Sequence, residues 1–305
     1  LERFAVVDLG SNTFHLLITE KSNVGFKEIY RQRVYTKLAK GGSDNISEES
    51  YKKGIECLCD FRRMMNAHSV VNYKALGTAA LRSASNGSAF IQEAKHKAEI
   101  EINLIDGNQE AAYIASGVAA AVDLDLDNHL IMDIGGGSVE FILLKSGTII
   151  WKQSFPIGLA ILKARFHKEE PITPTDIDAM DSFLNSQLAP LILQLKTLQE
   201  NDQKIKSLIG ASGSFEVLQA MLRLPKWYIH SYRCHVIDFF NVKELVMSKT
   251  AAERHHVDGL PTDRVDLIVV AFHLMKYIIL LSKTEEIQIS DFALKEGVIM
   301  EFYNC

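Results

Sequence analysis

A short apolar run ending in Asp, then a glycine-rich polar turn, then a second apolar run, occurs twice in this chain, 125 positions apart. The first copy is Val6-Val7-Asp8-Leu9-Gly10-Ser11-Asn12-Thr13, leading into Phe14 to Ile18. The second is Ile131-Met132-Asp133-Ile134-Gly135-Gly136-Gly137-Ser138, leading into Val139 to Leu144. Both read as strand, tight turn, strand. Such a turn presents backbone N–H groups that regular structure does not use, and these can form a concave anion site. The aspartate closing the first strand is suited to hold a divalent cation, directly or through water. Aspartate also favours strand-ending turns for purely local reasons. Two copies with the same flanks favour function over that local account. Residues 8–13 and 133–138 are therefore expected to converge from separate lobes on one anion pocket that also contains Glu110.

At 305 residues the chain exceeds the size at which one core stops growing, so two domains are expected. Hydrophobic residues make up 47% and charged residues 23%, the balance of a soluble globular protein. The longest apolar run, Leu267 to Leu281, is interrupted by His273 and Lys276 and reads as a buried helix, not a membrane span. No signal peptide is expected before the strand-like run at Phe4. The scattered cysteines Cys57, Cys59, Cys234 and Cys305 suggest a reducing compartment and no disulfide framework. Residues 1–123 carry 15 basic and 15 acidic side chains, and the net charge of the chain is −5. A polyanionic ligand must then be attracted locally, and general nucleic-acid binding is disfavoured.

The pattern predicts a strand over 26–36 with Arg31 and Arg33 on one face, and a turn at Gly41-Gly42-Ser43-Asp44-Asn45. Ser47 is expected to cap a helix over about 48–67. A short strand over 73–77 precedes a helix carrying Arg82. An alternating strand covers 100–105, and a helix rich in small residues follows Gly107. Gly147 marks a hairpin. A helical stretch from Pro171 to about Glu200 is expected to break near Pro190. Leu208 to Ser214 is a third strand-to-glycine turn, and Ser290-Asp291 are expected to cap a last helix over 292–303. Strand-rich and helical segments alternate twice, which predicts two related α/β lobes.

Glu110, near a helix start, reads either as a cap or as a general base that activates water beside a phosphate. Glu140 follows Ser138 by two residues, shares its face on a strand, and reads as a metal or water ligand or as an exposed strand residue. Arg82 has the fork geometry for bidentate phosphate contact. Arg31, Arg33, Lys37 and Lys40 extend a basic track or form a solvated edge. His230, Cys234 and His235, like His255 and His256, have spacings that fit no common zinc site.

The two Asp-Gly turns, with Ala79-Ala80-Leu81-Arg82, Asp106-Gly107-Asn108-Gln109-Glu110-Ala111, Pro156-Ile157-Gly158, Gly210-Ala211-Ser212-Gly213 and Ala293-Leu294-Lys295-Glu296-Gly297, strongly resemble the exopolyphosphatase/guanosine pentaphosphate phosphohydrolase family of the actin-like ATPase superfamily. The motifs occur in the family's order across nearly the whole chain. The resemblance implies an α/β fold of two ribonuclease H-like lobes with an interlobe cleft. It divides the chain into residues 1–123 plus 290–305 and residues 124–289. It implies a cytoplasmic, Mg²⁺-dependent hydrolase that releases the terminal phosphate of inorganic polyphosphate or guanosine pentaphosphate, with no nucleic-acid or membrane partner and with a homodimer as one assembly to test. In that frame Glu110 matches the catalytic base, assisted by Arg82. Gly10, Ser11, Asn12, Thr13, Gly135, Gly136, Gly137, Ser138 and Arg82 match the phosphate contacts. Asp8, Asp133 and Glu140 match acidic positions near the metal. His15 stands where many members carry arginine. Longer members continue into a helical region resembling HD-type domains, which a sequence whose last residue is Cys305 is expected to lack. A catalytically weak sensor of guanosine tetra- or pentaphosphate, and an actin-like kinase or ATPase, are the alternatives.

Overall fold

A computed structural model describes residues 2–23, 25–39 and 45–304. The basic position at Lys40, the predicted turn from Gly41 to Asp44, and Cys305 lie outside the described residues. The chain separates into two compact units. The first holds residues 1–117, 135–137 and 293–305, and the second residues 118–134 and 138–292.

The first unit begins with β1 (Arg3–Leu9), β2 (Thr13–Lys21) and β3 (Phe26–Tyr35), an antiparallel meander. Helix α1 (Glu48–Ala67) follows, its N-cap Ser47 accepting from Ser50 N. Then come β4 (Asn72–Gly77), α2 (Ala79–Ser83), α3 (Gly87–Glu93), a π-helical turn (Ala94–Ala98), β5 (Ile102–Leu104) and α4 (Gly107–Ala121). The strand expected over 100–105 is thus shorter by half. The sheet runs β3-β2-β1-β4-β5, with β4 and β5 parallel to β1. Both faces of β1 are covered, so Phe4 to Val7 are all buried, as a central strand requires.

The second unit repeats this plan with β6 (Asn128–Ile134), β7 (Val139–Lys145) and β8 (Thr148–Phe155). Gly147 turns the hairpin between β7 and β8 at φ +71°. Helices α5 (Leu159–Phe166), α6 (Pro174–Gln187) and α7 (Ala189–Glu200) follow. The break at Leu188 leaves Pro190 in the first turn of α7, where its missing N–H costs nothing. Next are β9 (Ile205–Gly210), α8 (Gly213–Leu222), β10 (Lys226–Tyr228), β11 (Ser231–His235), α9 (Val236–Met247), α10 (Ala251–Arg254), the buried α11 (Ile268–Ser282) and β12 (Glu286–Ser290). The sheet order is β10-β11-β12-β9-β6-β7-β8. Strands β8-β7-β6-β9-β12 therefore repeat the order β3-β2-β1-β4-β5, and β10-β11 extend one edge.

The chain ends in α12 (Leu294–Tyr303), which belongs to the first unit. Its start differs from expectation. Ser290 closes β12, and its hydroxyl donates to Phe292 O and accepts from Phe292 N. The helix begins two residues later than predicted, with Glu296 accepting from Ala293 N at 2.9 Å. No described helix is long and apolar enough to cross a membrane.

Candidate active site

In the first unit the turn after β1 is closed by Gly10 N donating to Thr13 O at 3.1 Å. The carbonyls of Ser11 and Asn12 accept from Ala39 N and Lys37 N, both at 2.9 Å, so the segment after β3 braces the turn. Thr78 braces its other side, with N and Oγ1 both donating to Leu9 O. This ties the end of β4 to the end of β1 and starts α2, the helix that carries Arg82.

Arg82 Nη1 donates to Ile105 O at 2.5 Å and to Glu110 Oε2 at 3.3 Å. Glu110 lies in the first turn of α4, and only 8% of it is exposed. Capping does not explain Glu110, because Asp106 performs it: Asp106 Oδ1 accepts from both Asn108 N and Gln109 N at 2.8 Å. The carboxylate of Glu110 is left to the guanidinium and to its other surroundings.

Gly135, Gly136 and Gly137 group with the first unit. A Cβ on Gly137 would meet Ser11 Oγ at 2.6 Å and Ala79 Cβ at 3.3 Å. One on Gly136 would meet Asn12 Cβ at 3.2 Å. Absence of side chains here lets two turn backbones approach closely.

Asp8 is half-buried, opposite His15 on β2 and Leu76 on β4. Its carboxylate makes no hydrogen bond or ion pair within 4 Å among the described residues. Burial pushes its pKa up, Lys295 pulls it down and Glu296 pushes it up, with a net rise. Such an acid gains most from a nearby cation.

In the second unit Asp133 ends β6 directly opposite Glu140 on β7. Glu140 is buried, not an exposed strand residue, and accepts from Ser154 Oγ at 2.6 Å. Ser138 is buried. The third glycine turn is tied to β6 by Ala211 N donating to Met132 O at 3.2 Å, and the Arg264 guanidinium lies over Gly213.

No set of three or more His, Cys, Asp or Glu among the described residues is grouped to hold a metal ion. Asp8 belongs to the first unit, and Asp133 and Glu140 belong to the second. The donors still fit Mg²⁺, which retains several waters and takes one or two carboxylates together with substrate phosphate. Asp8 offers an unpaired carboxylate, and Asp133 stands beside the anchored Glu140. His230 stacks on Phe292 with ring centroids 4.2 Å apart, a packing contact.

Sequence reasoning passed over Ser154, which anchors Glu140; Asp106, named there only within a motif, caps α4, and Arg31, expected on a basic track or solvated edge, pairs with Glu296 at 2.9 Å. Hairpin pairing offered a signal for Ser154 only, as a polar residue opposite Glu140.

The pattern that describes the Ppx/GppA phosphatase family matches residues 7–304. The chain belongs to this family. A putative exopolyphosphatase of Haemophilus influenzae is 26% identical, over 98% of this chain and 91% of its own length. A guanosine-5'-triphosphate,3'-diphosphate pyrophosphatase of Aliivibrio fischeri is 28% identical over 97% of this chain, which spans 58% of that relative. The solved structure of an exopolyphosphatase from Cytophaga hutchinsonii is 36% identical, with a TM-score of 0.92 and coverage of 99% and 98%. The Ppx-GppA enzyme of Aquifex aeolicus, at 21% identity and a TM-score of 0.81, shares the fold. The chain thus has the α/β fold of two actin-like lobes expected from its motifs.

Proposed function

We propose that the protein is a Mg²⁺-dependent phosphohydrolase that releases the terminal phosphate of inorganic polyphosphate, of guanosine pentaphosphate, or of both. The observation that carries this reading is the pairing of Arg82 with Glu110 at the head of α4, in the unit that also holds the turns at Gly10–Thr13 and Gly135–Gly137. The likeness to the Cytophaga hutchinsonii exopolyphosphatase supports it. The reading includes a cytoplasmic location and a division into lobes of residues 1–123 with 290–305 and residues 124–289.

Water attacks the terminal phosphorus in line, the bond to the bridging oxygen breaks, and the shortened chain leaves. Glu110 orients the water and takes its proton. An arriving phosphate oxygen competes with Glu110 for Arg82 and frees the carboxylate as the guanidinium turns to the substrate. With the Gly10 N–H committed to Thr13 O, the N–H groups that follow it through Thr13 and those from Gly135 to Ser138 hold the equatorial oxygens. Asp8, Asp133 and Glu140 would hold the metal, which when bound would supply charge neutralisation at the phosphates.

The test is phosphate release, with Mg²⁺, from short polyphosphate, long polyphosphate and guanosine pentaphosphate side by side. Release from any of them is the expected result, and none from all three would end the proposal. One observation favours a second reading, a weakly catalytic sensor of guanosine tetra- or pentaphosphate: the base is held in an ion pair. Tight nucleotide binding without phosphate release would favour it.

A further inference from the structure

Eight described residues other than glycine have positive φ. Six of them end helical segments: Glu99, Arg223, Lys283 and Asn304 cap them, and Ser69 and Asp202 follow a cap. Ser146 turns the β7–β8 hairpin beside Gly147. Local geometry accounts for these seven. Lys37, at φ +53°, ends no helix and turns no hairpin.

What holds Lys37 in this conformation is the turn after β1. Its N–H donates to Asn12 O at 2.9 Å, and its carbonyl accepts from the Ser50 hydroxyl, also at 2.9 Å. Two residues on, Ala39 N donates to Ser11 O. Thr36 and Leu38, on either side, are buried. The backbone of residue 37 is thus fixed against the turn, while its side chain is exposed. A glycine would adopt this conformation without steric cost, whereas the Cβ of a lysine crowds the following carbonyl. Such a residue persists only where its surroundings fix it, and it points to a use for the side chain.

Lys37 Nζ makes no hydrogen bond or ion pair among the described residues. Its neighbours on β3 are placed differently. Arg31 Nη2 donates to Glu28 at 2.7 Å and to Glu296 at 2.9 Å, and Arg33 lies 5.5 Å from the centroid of the Tyr35 ring. Of these three cations, Lys37 alone is bonded through its backbone to the turn. Its four-carbon stem lets the ammonium sweep over a turn that its own backbone touches.

We infer that Lys37 is a further substrate-binding residue: its ammonium pairs with a phosphate oxygen of the chain seated on the turn after β1. The inference rests on the phosphohydrolase reading. An ammonium is a point charge with three rotatable donors, which suits a phosphoanhydride chain that presents its oxygens in no fixed plane.

The test compares Lys37→Gly, Lys37→Met and Lys37→Arg in the full chain. KM and kcat are measured on tripolyphosphate with saturating Mg²⁺, and melting temperature is measured beside them. Lys37→Gly separates the two roles, because glycine relieves the backbone and removes the charge. It should melt within about 2 °C of wild type or above it. Its KM should rise about tenfold, the scale of one charge-assisted contact, with kcat moved by less than about twofold. Added KCl should narrow the difference from wild type, since the lost contact is between charges. Lys37→Met should show the same rise in KM, so a glycine variant that fails to fold leaves the comparison intact. Lys37→Arg should keep KM within about threefold of wild type. A wild-type KM in Lys37→Gly or Lys37→Met, or an equal rise in Lys37→Arg, overturns the inference. A wild-type chain that releases no phosphate overturns the phosphohydrolase reading and the inference with it. An active wild type whose KM is indifferent to position 37 overturns the inference alone.

Discussion

The two Asp-Gly turns are close in sequence and unlike in their surroundings. Asp8 faces His15 across its hairpin, and burial raises its pKa against the opposing pull of Lys295. Asp133 faces a second acid, Glu140, which Ser154 holds in place. The repeated turn contributes the same backbone, but the next strand decides the charge beside it. The first copy sets its acid opposite an imidazole, and the second doubles its carboxylates. A duplicated motif can thus keep one geometry while its copies divide the electrostatic work.

The largest expected effect tests that division. Glu110→Gln should lower kcat by about 10²- to 10⁴-fold, the usual contribution of a general base, with substrate affinity retained. Glu140→Gln keeps an oxygen for the Ser154 hydroxyl. It should cost roughly tenfold and mainly raise the Mg²⁺ concentration needed for half-maximal rate. Steady-state kinetics across a Mg²⁺ series distinguishes them. Equal losses in kcat would break the comparison, because both acids would then serve the chemistry alike.

Next in size are two glycines that differ in what their missing side chain would meet. Gly297→Ala drives a methyl into the Tyr113 carbonyl, so the first unit should lose about 2–3 kcal/mol. That corresponds to roughly 5–10 °C in melting temperature for a unit of this size. Gly137→Ala meets Ser11 Oγ, the end of a rotatable side chain, and Ala79 Cβ. It should leave melting within about 2 °C and raise KM several-fold, if the turn serves phosphate as proposed. A Gly137→Ala chain that melts early, with KM unchanged, would make that turn a packing element only.

Much of this arrangement was legible in the sequence because local chemistry fixes it. Ser47 caps α1, Gly147 turns its hairpin, and Pro190 forces the break between α6 and α7. The strands β10, β11 and β12 were not read. Each is three to five residues long, and Glu286–Ser290 is buried on both faces, so no alternation marks it. The start of α12 was misread because Ser290 and Asp291 look like caps, while the helix is closed by Glu296 reaching back to Ala293 N. In the candidate site, residue types and turns were visible but contacts were not. The Arg82–Glu110 pair joins side chains 28 positions apart and depends on β4, β5 and α4 packing together. The Arg31–Glu296 pair spans 265 positions.

The smallest expected effect concerns protons, and it belongs to the second unit. His273 is buried on α11 with Nε2 at 2.6 Å from Asp181 Oδ1. Burial pushes its pKa down, Asp181 pushes it up, and Lys276 and Lys243 add to the fall, with a net depression. His167 is likewise depressed, by burial first, against the opposing pull of Glu170. A histidine kept neutral in the fold binds fewer protons than in the unfolded chain once pH drops below about 6.5. Stability should therefore be flat above that value and fall as pH descends from it towards the lower folded pKa. Glu170 does not mask this. Burial raises its pKa, but Arg254 and His167 bring it below the ordinary carboxylate value, so its contribution is lost only at lower pH. Both tryptophans, Trp151 and Trp227, lie in the second unit, so fluorescence reports on that unit alone. Between pH 7.5 and 5.5 the fluorescence-detected melting temperature should drop by about 2–4 °C, the response of a domain this size to about 1 kcal/mol. His273→Gln, which cannot take up the proton, should flatten the slope. A wild-type curve that stays level through this range would mean that the second unit carries these histidines at no proton-linked cost.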